Sequence, residues 1–361
     1  MTDFDRRLSD ALKTATSSYR PADPYVAKQA FLHRFRRRRW AGGIAMSLAA
    51  GTAAVAAFFV VPGLLTQDAS DKRAPVAASP TGASEIPVGG APNGIAFGGR
   101  RVWVANSADG TVSSIATADN RVVRTYDVGG TPDDLDVGLR TLWVTDSERG
   151  VVTKVPLGPA GEREEIVVGD DGGRIDISLG SGAAWVVSDG ALLRIDAATD
   201  AVTTIPGITD ATDVAAGHGA VAVVGESFIG RVEPGSPSVT PLASVAATAN
   251  QDLHLSPGAA WFGDGDAGTL TRVDLASGEM AEPVEIGGTY LAIAQGSGSI
   301  WVVSGDAGDE GRLLRIDPSD GAVVGEPVAL SGRPYDVATG ARAVWVLNRS
   351  AETVTRLDPN A

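Results

Sequence analysis

From residue 98 the chain reads "GGRRVWVANSADGTVSSI": an apolar run around Trp103, a polar turn at "SADG", and a second β-rich run. Alternating or short apolar runs bounded by Gly, Asp, Asn and Ser predict strands joined by tight turns. The same pattern recurs down the chain as "GGRRVWVAN", "GLRTLWVTD", "GSGAAWVVS", "GHGAVAVVG", "SPGAAWFGD", "GSGSIWVVS" and "GARAVWVLN". Its anchors are Trp103, Trp143, Trp185, Ala222, Trp261, Trp301 and Trp345, at spacings of 40, 42, 37, 39, 40 and 44 residues. Only the fourth copy has lost its tryptophan.

A period near 40 fits a four-stranded propeller blade and is too long for a leucine-rich repeat. Each unit resolves into four short runs, such as "PNGIAFG", "RVWVANS", "TVSSIATAD" and "RVVRTYDVG". Sheets of this size packed radially protect their faces, so the unit must recur until a ring closes. An orphan run, "EIPVGG" at residues 85–90, precedes the first copy, whereas the last stops at "TVTRLDPNA" without an outer strand. The orphan is therefore expected to complete the seventh blade. The predicted fold of residues 85–361 is all-β, a seven-bladed β-propeller.

The first 84 residues follow a different pattern. Residues 41–65 contain no charge, and 25 residues of helix at 1.5 Å each cross a hydrocarbon core of about 30 Å. They predict a transmembrane helix. "HRFRRRRW" before it, against Lys72 and Arg73 after it, predicts a cytoplasmic N-terminus by the positive-inside rule. A cleaved leader is the competing reading, for which both leader and apolar run are long. Residues 1–40 place Phe4, Leu8, Leu12 and Ala15 on one helical face, and a second helix is expected to start near Asp23 and Pro24. This stub is basic, with ten Lys/Arg against four Asp/Glu. Residues 66–84, "TQDASDKRAPVAASPTGAS", read as a flexible linker. The expected location is the cell membrane, single-pass, with the propeller extracytoplasmic.

Charge and composition narrow the chemistry. Formal net charge is −14, and the absence of cysteine excludes disulfides, thiolate zinc sites and cysteine nucleophiles. The body is acidic, which argues against nucleic acid as a partner. Four residues before each turn, the copies carry Gly94, Asp134, Asp176, Asp213, Asp252, Ala292 and Asp336. Five carboxylates in one register at the start of the innermost strand predict a ring around one channel mouth. The loop after the tryptophan strand emerges on the same face with Asp109, Asp146, Glu148, Asp189, Glu226, Asp264, Asp266, Asp306, Asp309 and Glu310. One reading has each acid capping a neighbouring backbone N–H; the other has the face attract a cation or a basic partner. Calcium takes six to eight oxygen ligands, so Asp134, Asp213 and Asp336 are a candidate calcium set. His218 is expected in a turn on the opposite face, away from His254, so no histidine pair is expected.

The repeat "VGGAPNGIAFGGRRVWVANSADGTVSSI", with hairpins such as "LLRIDAATDAVTT" and "LLRIDPSDGAVVG", resembles the YVTN or YncE-like seven-bladed propellers, with virginiamycin B lyase-like proteins as relatives. The resemblance covers residues 85–361. It implies the fold; the His and Glu metal site of the lyases has no matching cluster here. Three functional expectations follow. The first is a non-catalytic binding or scaffold module for an envelope protein, peptide, glycan or cation. The second is a calcium-dependent hydrolase or lactonase, and the third a transmembrane sensor relaying ligand state to a cytoplasmic partner.

Overall fold

The computed structural model describes residues 83–361 apart from 139, 159–161, 171, 234, 236–237, 246–250, 289, 306–307 and 361. The expected stub, transmembrane helix and linker up to residue 82 lie outside the described residues.

The described chain forms seven antiparallel sheets of four strands each. The first blade runs from the channel outward as β2 (Pro92–Gly98), β3 (Arg101–Asn106), β4 (Thr111–Ala116) and β5 (Arg121–Asp127). Five blades repeat it, with innermost strands β6 (Pro132–Gly138), β10 (Ile175–Gly180), β14 (Ala211–Gly217), β18 (Gln251–Ser256) and β22 (Tyr290–Gly296). The seventh contributes only β26 (Pro334–Gly340), β27 (Ala343–Asn348) and β28 (Thr353–Leu357). Its fourth strand is β1 (Ser84–Pro87), paired antiparallel to β28 from Ser84↔Arg356 to Pro87↔Thr353. This is the closure the sequence predicts. Each innermost strand packs against the next around the ring, and β2 touches both β6 and β26.

Burial follows each strand's place in its blade. β3 and β27 are buried along almost their whole length, whereas the outermost β5 is largely exposed. Runs such as "AVWVLN" are accordingly apolar on both faces, because blades pack on either side of them. The cores lie between blades: Trp103, Ala105 and Val112 of the first meet Leu135, Leu142 and Val144 of the second. In the fourth blade Ala222, fully buried without an indole, packs with Leu253, Leu255 and Phe262 of the fifth.

The tryptophans also seal the turns beneath them. The Nε1–H groups of Trp103, Trp185, Trp301 and Trp345 donate to the carbonyls of Gly98, Gly180, Gly296 and Gly340 at 3.0–3.2 Å. On the next strand a cation lies over several of these rings: Lys154 on Trp143 at 5.1 Å, Arg315 on Trp301 at 5.6 Å and Arg356 on Trp345 at 5.8 Å.

The ring has two faces. The upper face holds the starts of the innermost strands, together with the loops that follow the tryptophan strands. Hydrogen bonds tie these together, as from Ser107 Oγ to the Pro132 carbonyl at 2.6 Å and from Ser147 N to Asp133 Oδ2 at 2.9 Å. The lower face holds the turns between first and second strands. Because Ser84 pairs with Arg356, near the end of the downward-running β28, the chain enters the propeller from the lower face.

Candidate functional site

An innermost strand is an edge, with no partner strand on its channel side, and an unpaired buried N–H there costs free energy comparable to a lost hydrogen bond. The aspartates occupy this edge. Asp134 accepts from its own neighbour Leu135 N at 2.8 Å and, across the blade boundary, from Ile177 N at 3.2 Å. Asp213 accepts from Val214 N at 2.6 Å and Leu253 N at 2.9 Å. Asp252 takes Ile293 N at 2.6 Å, and Asp336 takes Val337 N at 2.7 Å and Ile95 N at 3.0 Å. Ile95, Leu135, Ile177, Val214, Leu253, Ile293 and Val337 lie one on each innermost strand. Four carboxylates thus satisfy this N–H in all seven blades.

The gaps in the register now have a reason. Blades carrying Gly94 or Ala292 need no carboxylate of their own, because Asp336 and Asp252 of the preceding blades reach Ile95 and Ile293. Asp176 departs from the pattern, its Oδ2 pairing with Arg174 Nε at 2.7 Å. Two residues beyond Asp134, Asp136 repeats the device, accepting from Val137 N at 2.7 Å and Leu179 N at 2.8 Å. Ser178 Oγ accepts from Ala216 N at 2.9 Å in the same layer. The alternation of side chains along a strand puts residues i and i+2 on one side, a signal that would have brought Asp136 into the set from sequence.

Burial dominates the electrostatics. It pushes the Asp134 and Asp213 carboxyls well above the usual range, with the charge of Asp176 adding to both. Asp336 is raised to about 7 by burial and by Asp252, while Asp252 and Asp136 are raised to about 6 by burial against the lowering effect of their N–H donors. Arg174 offsets part of the rise at Asp213 and Asp252.

The candidate calcium set is spread over non-adjacent blades, with the charge of Asp336 felt at Asp134. Asp134, Asp213 and Asp336 belong to the second, fourth and seventh blades, which are not neighbours, and each holds two backbone N–H groups. Among the described residues no group of three or more His, Asp or Glu side chains is placed to hold a metal ion.

The loop acids divide into two kinds. Asp146, predicted as a surface acid, is the last residue of its strand and 2% exposed. It accepts from Thr131 N, Glu148 N and Arg149 N at 3.0–3.1 Å, and from Arg149 Nε at 2.7 Å. Asp264 is partly buried and accepts from Ala267 N at 2.9 Å, while Asp306 lies outside the described residues. The others stay at the surface. Asp109, Glu148, Asp189, Glu226, Asp266, Asp309 with Glu310, and Glu352 are exposed. Each blade supplies at least one, so the upper face carries an exposed acidic ring outside the inner one.

His218 is exposed in a lower turn, whereas burial holds His254 down to about 4, with the charge of His218 adding to the effect. His218 thus lies in a turn on the opposite face, as the sequence predicts.

No protein-family model matches the chain, and no curated protein matches it in sequence. Solved structures do resemble it. Virginiamycin B lyase from Staphylococcus aureus superposes with a TM-score of 0.64 at 15% identity, covering 76% of this chain and 98% of that one. A streptogramin B lyase gives 0.62 at 15% identity, over 76% of this chain and 96% of that chain. Hydrazine synthase from Kuenenia stuttgartiensis gives 0.60 at 14%, over 74% and 95%. At such identities the likeness is one of fold: this chain is a seven-bladed β-propeller, similar in architecture to the virginiamycin B lyases.

Proposed function

We propose that the chain is a membrane-anchored, extracytoplasmic propeller whose acidic upper face recognises a cationic or basic ligand of the cell envelope without catalysis. The observation that carries this reading is the division of labour among the acids. The inner carboxylates bridge backbone N–H groups of neighbouring blades and hold the ring, while the outer acids, at least one per blade, are exposed on one side of the ring; Asp109, Asp189 and Glu352 among them also accept a backbone N–H. Like charge gathered on one face raises the local concentration of counter-charged partners and speeds their encounter.

Chain direction supports the same reading. The propeller is entered from its lower face through β1, the face opposite the exposed acids. A spacer with the composition of residues 66–84 has a reach of roughly 25 Å.

The test is cross-linking in intact cells. A photo-reactive residue at Asp266 on the upper face should capture an envelope partner, while the same residue at Ser297 on the lower face should not. Equal capture from both positions, or none from Asp266, would contradict the reading.

A further inference from the structure

The seven lower turns next to the channel share one backbone feature. In each, the second turn residue has positive φ: 77° at Gly182, 79° at Gly219, 78° at Gly258 and 76° at Gly298. Glycine suits this left-handed position because a side chain there is strained. Three blades nevertheless place arginine there, with φ 64° at Arg100, 63° at Arg140 and 57° at Arg342.

These arginines are not scattered. Arg342, Arg100 and Arg140 follow β26, β2 and β6, which are consecutive around the ring. All three are exposed, and none forms an ion pair among the described residues. Two acids of the lower turns in these blades have partners other than these arginines: Asp119 pairs with Arg121 at 3.6 Å, and Asp358 accepts Asn360 N at 2.9 Å. The same sector receives the incoming chain, because β1 joins the seventh blade from this face.

We propose that Arg100, Arg140 and Arg342 form a lipid-facing patch that holds the lower face of the propeller against the anionic phospholipid headgroups of the membrane to which its own tether leads. The inference rests on the anchoring part of the function proposed above and goes beyond it. Turn chemistry disfavours arginine at these positions, so the turn itself does not account for three of them in neighbouring blades. Charge does: each basic residue at an anionic surface adds about 1 kcal/mol, roughly a fivefold gain per arginine. The patch also fixes orientation, turning the acidic face outward from a like-charged bilayer.

The absence of cysteine makes the test direct. Single cysteines at Ser181 in a lower turn and Ala108 in an upper loop carry a donor dye on the full chain, and the acceptor sits on lipid headgroups. Vesicles are phosphatidylcholine with or without phosphatidylglycerol. Transfer from the lower label should rise with phosphatidylglycerol, and should return to the neutral-lipid value in high salt and in the R100N/R140N/R342N variant. The upper label should not respond. Asparagine tolerates positive φ, so the variant should keep its unfolding midpoint; Arg342→Asn alone should show a partial loss. The basic N-terminal stub is unchanged in every variant and cannot produce the difference. Equal transfer from the lower label in both lipids, or transfer unaffected by the substitutions, would overturn the patch. Release of the wild-type chain from vesicles by carbonate would instead overturn the anchor, and the lipid comparison is then read on chain added from outside.

Discussion

A single carboxylate in this ring serves two blades, and that sharing makes a residue-scale change costly. Asp336→Ala removes the acceptor for both Val337 N and Ile95 N. A buried N–H left without a partner costs about 1–3 kcal/mol, so the loss should be on the order of 2–6 kcal/mol, several degrees or more in the thermal midpoint. Asp176→Asn, at the position paired with Arg174 instead, should move the midpoint far less. The raised carboxyls also give stability an unusual pH dependence. With native values of about 7 for Asp336 and about 6 for Asp252 and Asp136, against roughly 4 in the unfolded chain, the folded state binds more protons across that interval. Stability therefore falls as pH rises from about 4 to about 7. Thermal unfolding should show a higher midpoint near pH 5 than near pH 8, and Asp336→Asn should flatten the profile; a midpoint that climbs with pH would contradict it.

Among the elements, β1 is the shortest commitment with the widest consequence. Its four residues close the ring, and Ile86, 2% exposed, packs with Trp345, Leu347 and Val354. Ile86→Ala should cost about 2–5 kcal/mol, and hydrogen exchange should quicken first in β26, β27 and β28, not in blades across the ring. The blades and their closure were legible in the sequence because each unit repeats its anchors, its turns and its missing strand. The carboxylate register was legible for the same reason. What each aspartate binds was not: the partner of Asp134 is Ile177, 43 residues away on another blade, and only ring geometry brings them together. Nor does local pattern separate Asp146, buried by four donors, from exposed acids such as Asp266. The arginines of the lower turns were visible in "GGRR", "GLRT" and "GARA", yet their meaning depends on those blades being neighbours.

At the scale of the whole molecule, two rings of acid share one face: the inner one bridges the blades, and the outer one is exposed and is the surface to which the proposed function assigns recognition. The virginiamycin B lyases show that a propeller of this architecture can host an activity, and architecture alone does not carry it across. The most direct measurement is a binding isotherm of a fluorescent octalysine peptide on the full chain and two variants. One neutralises the outer ring with Glu148→Gln, Glu226→Gln, Asp266→Asn and Glu352→Gln; the other removes the inner acceptor Asp134 with Asp134→Ala. The outer variant should lose binding while keeping its thermal midpoint. The inner variant, measured below its lowered midpoint, should bind as the wild type does. Binding that survives loss of the outer acids, or disappears with Asp134 alone, would contradict the assignment of recognition to the exposed ring.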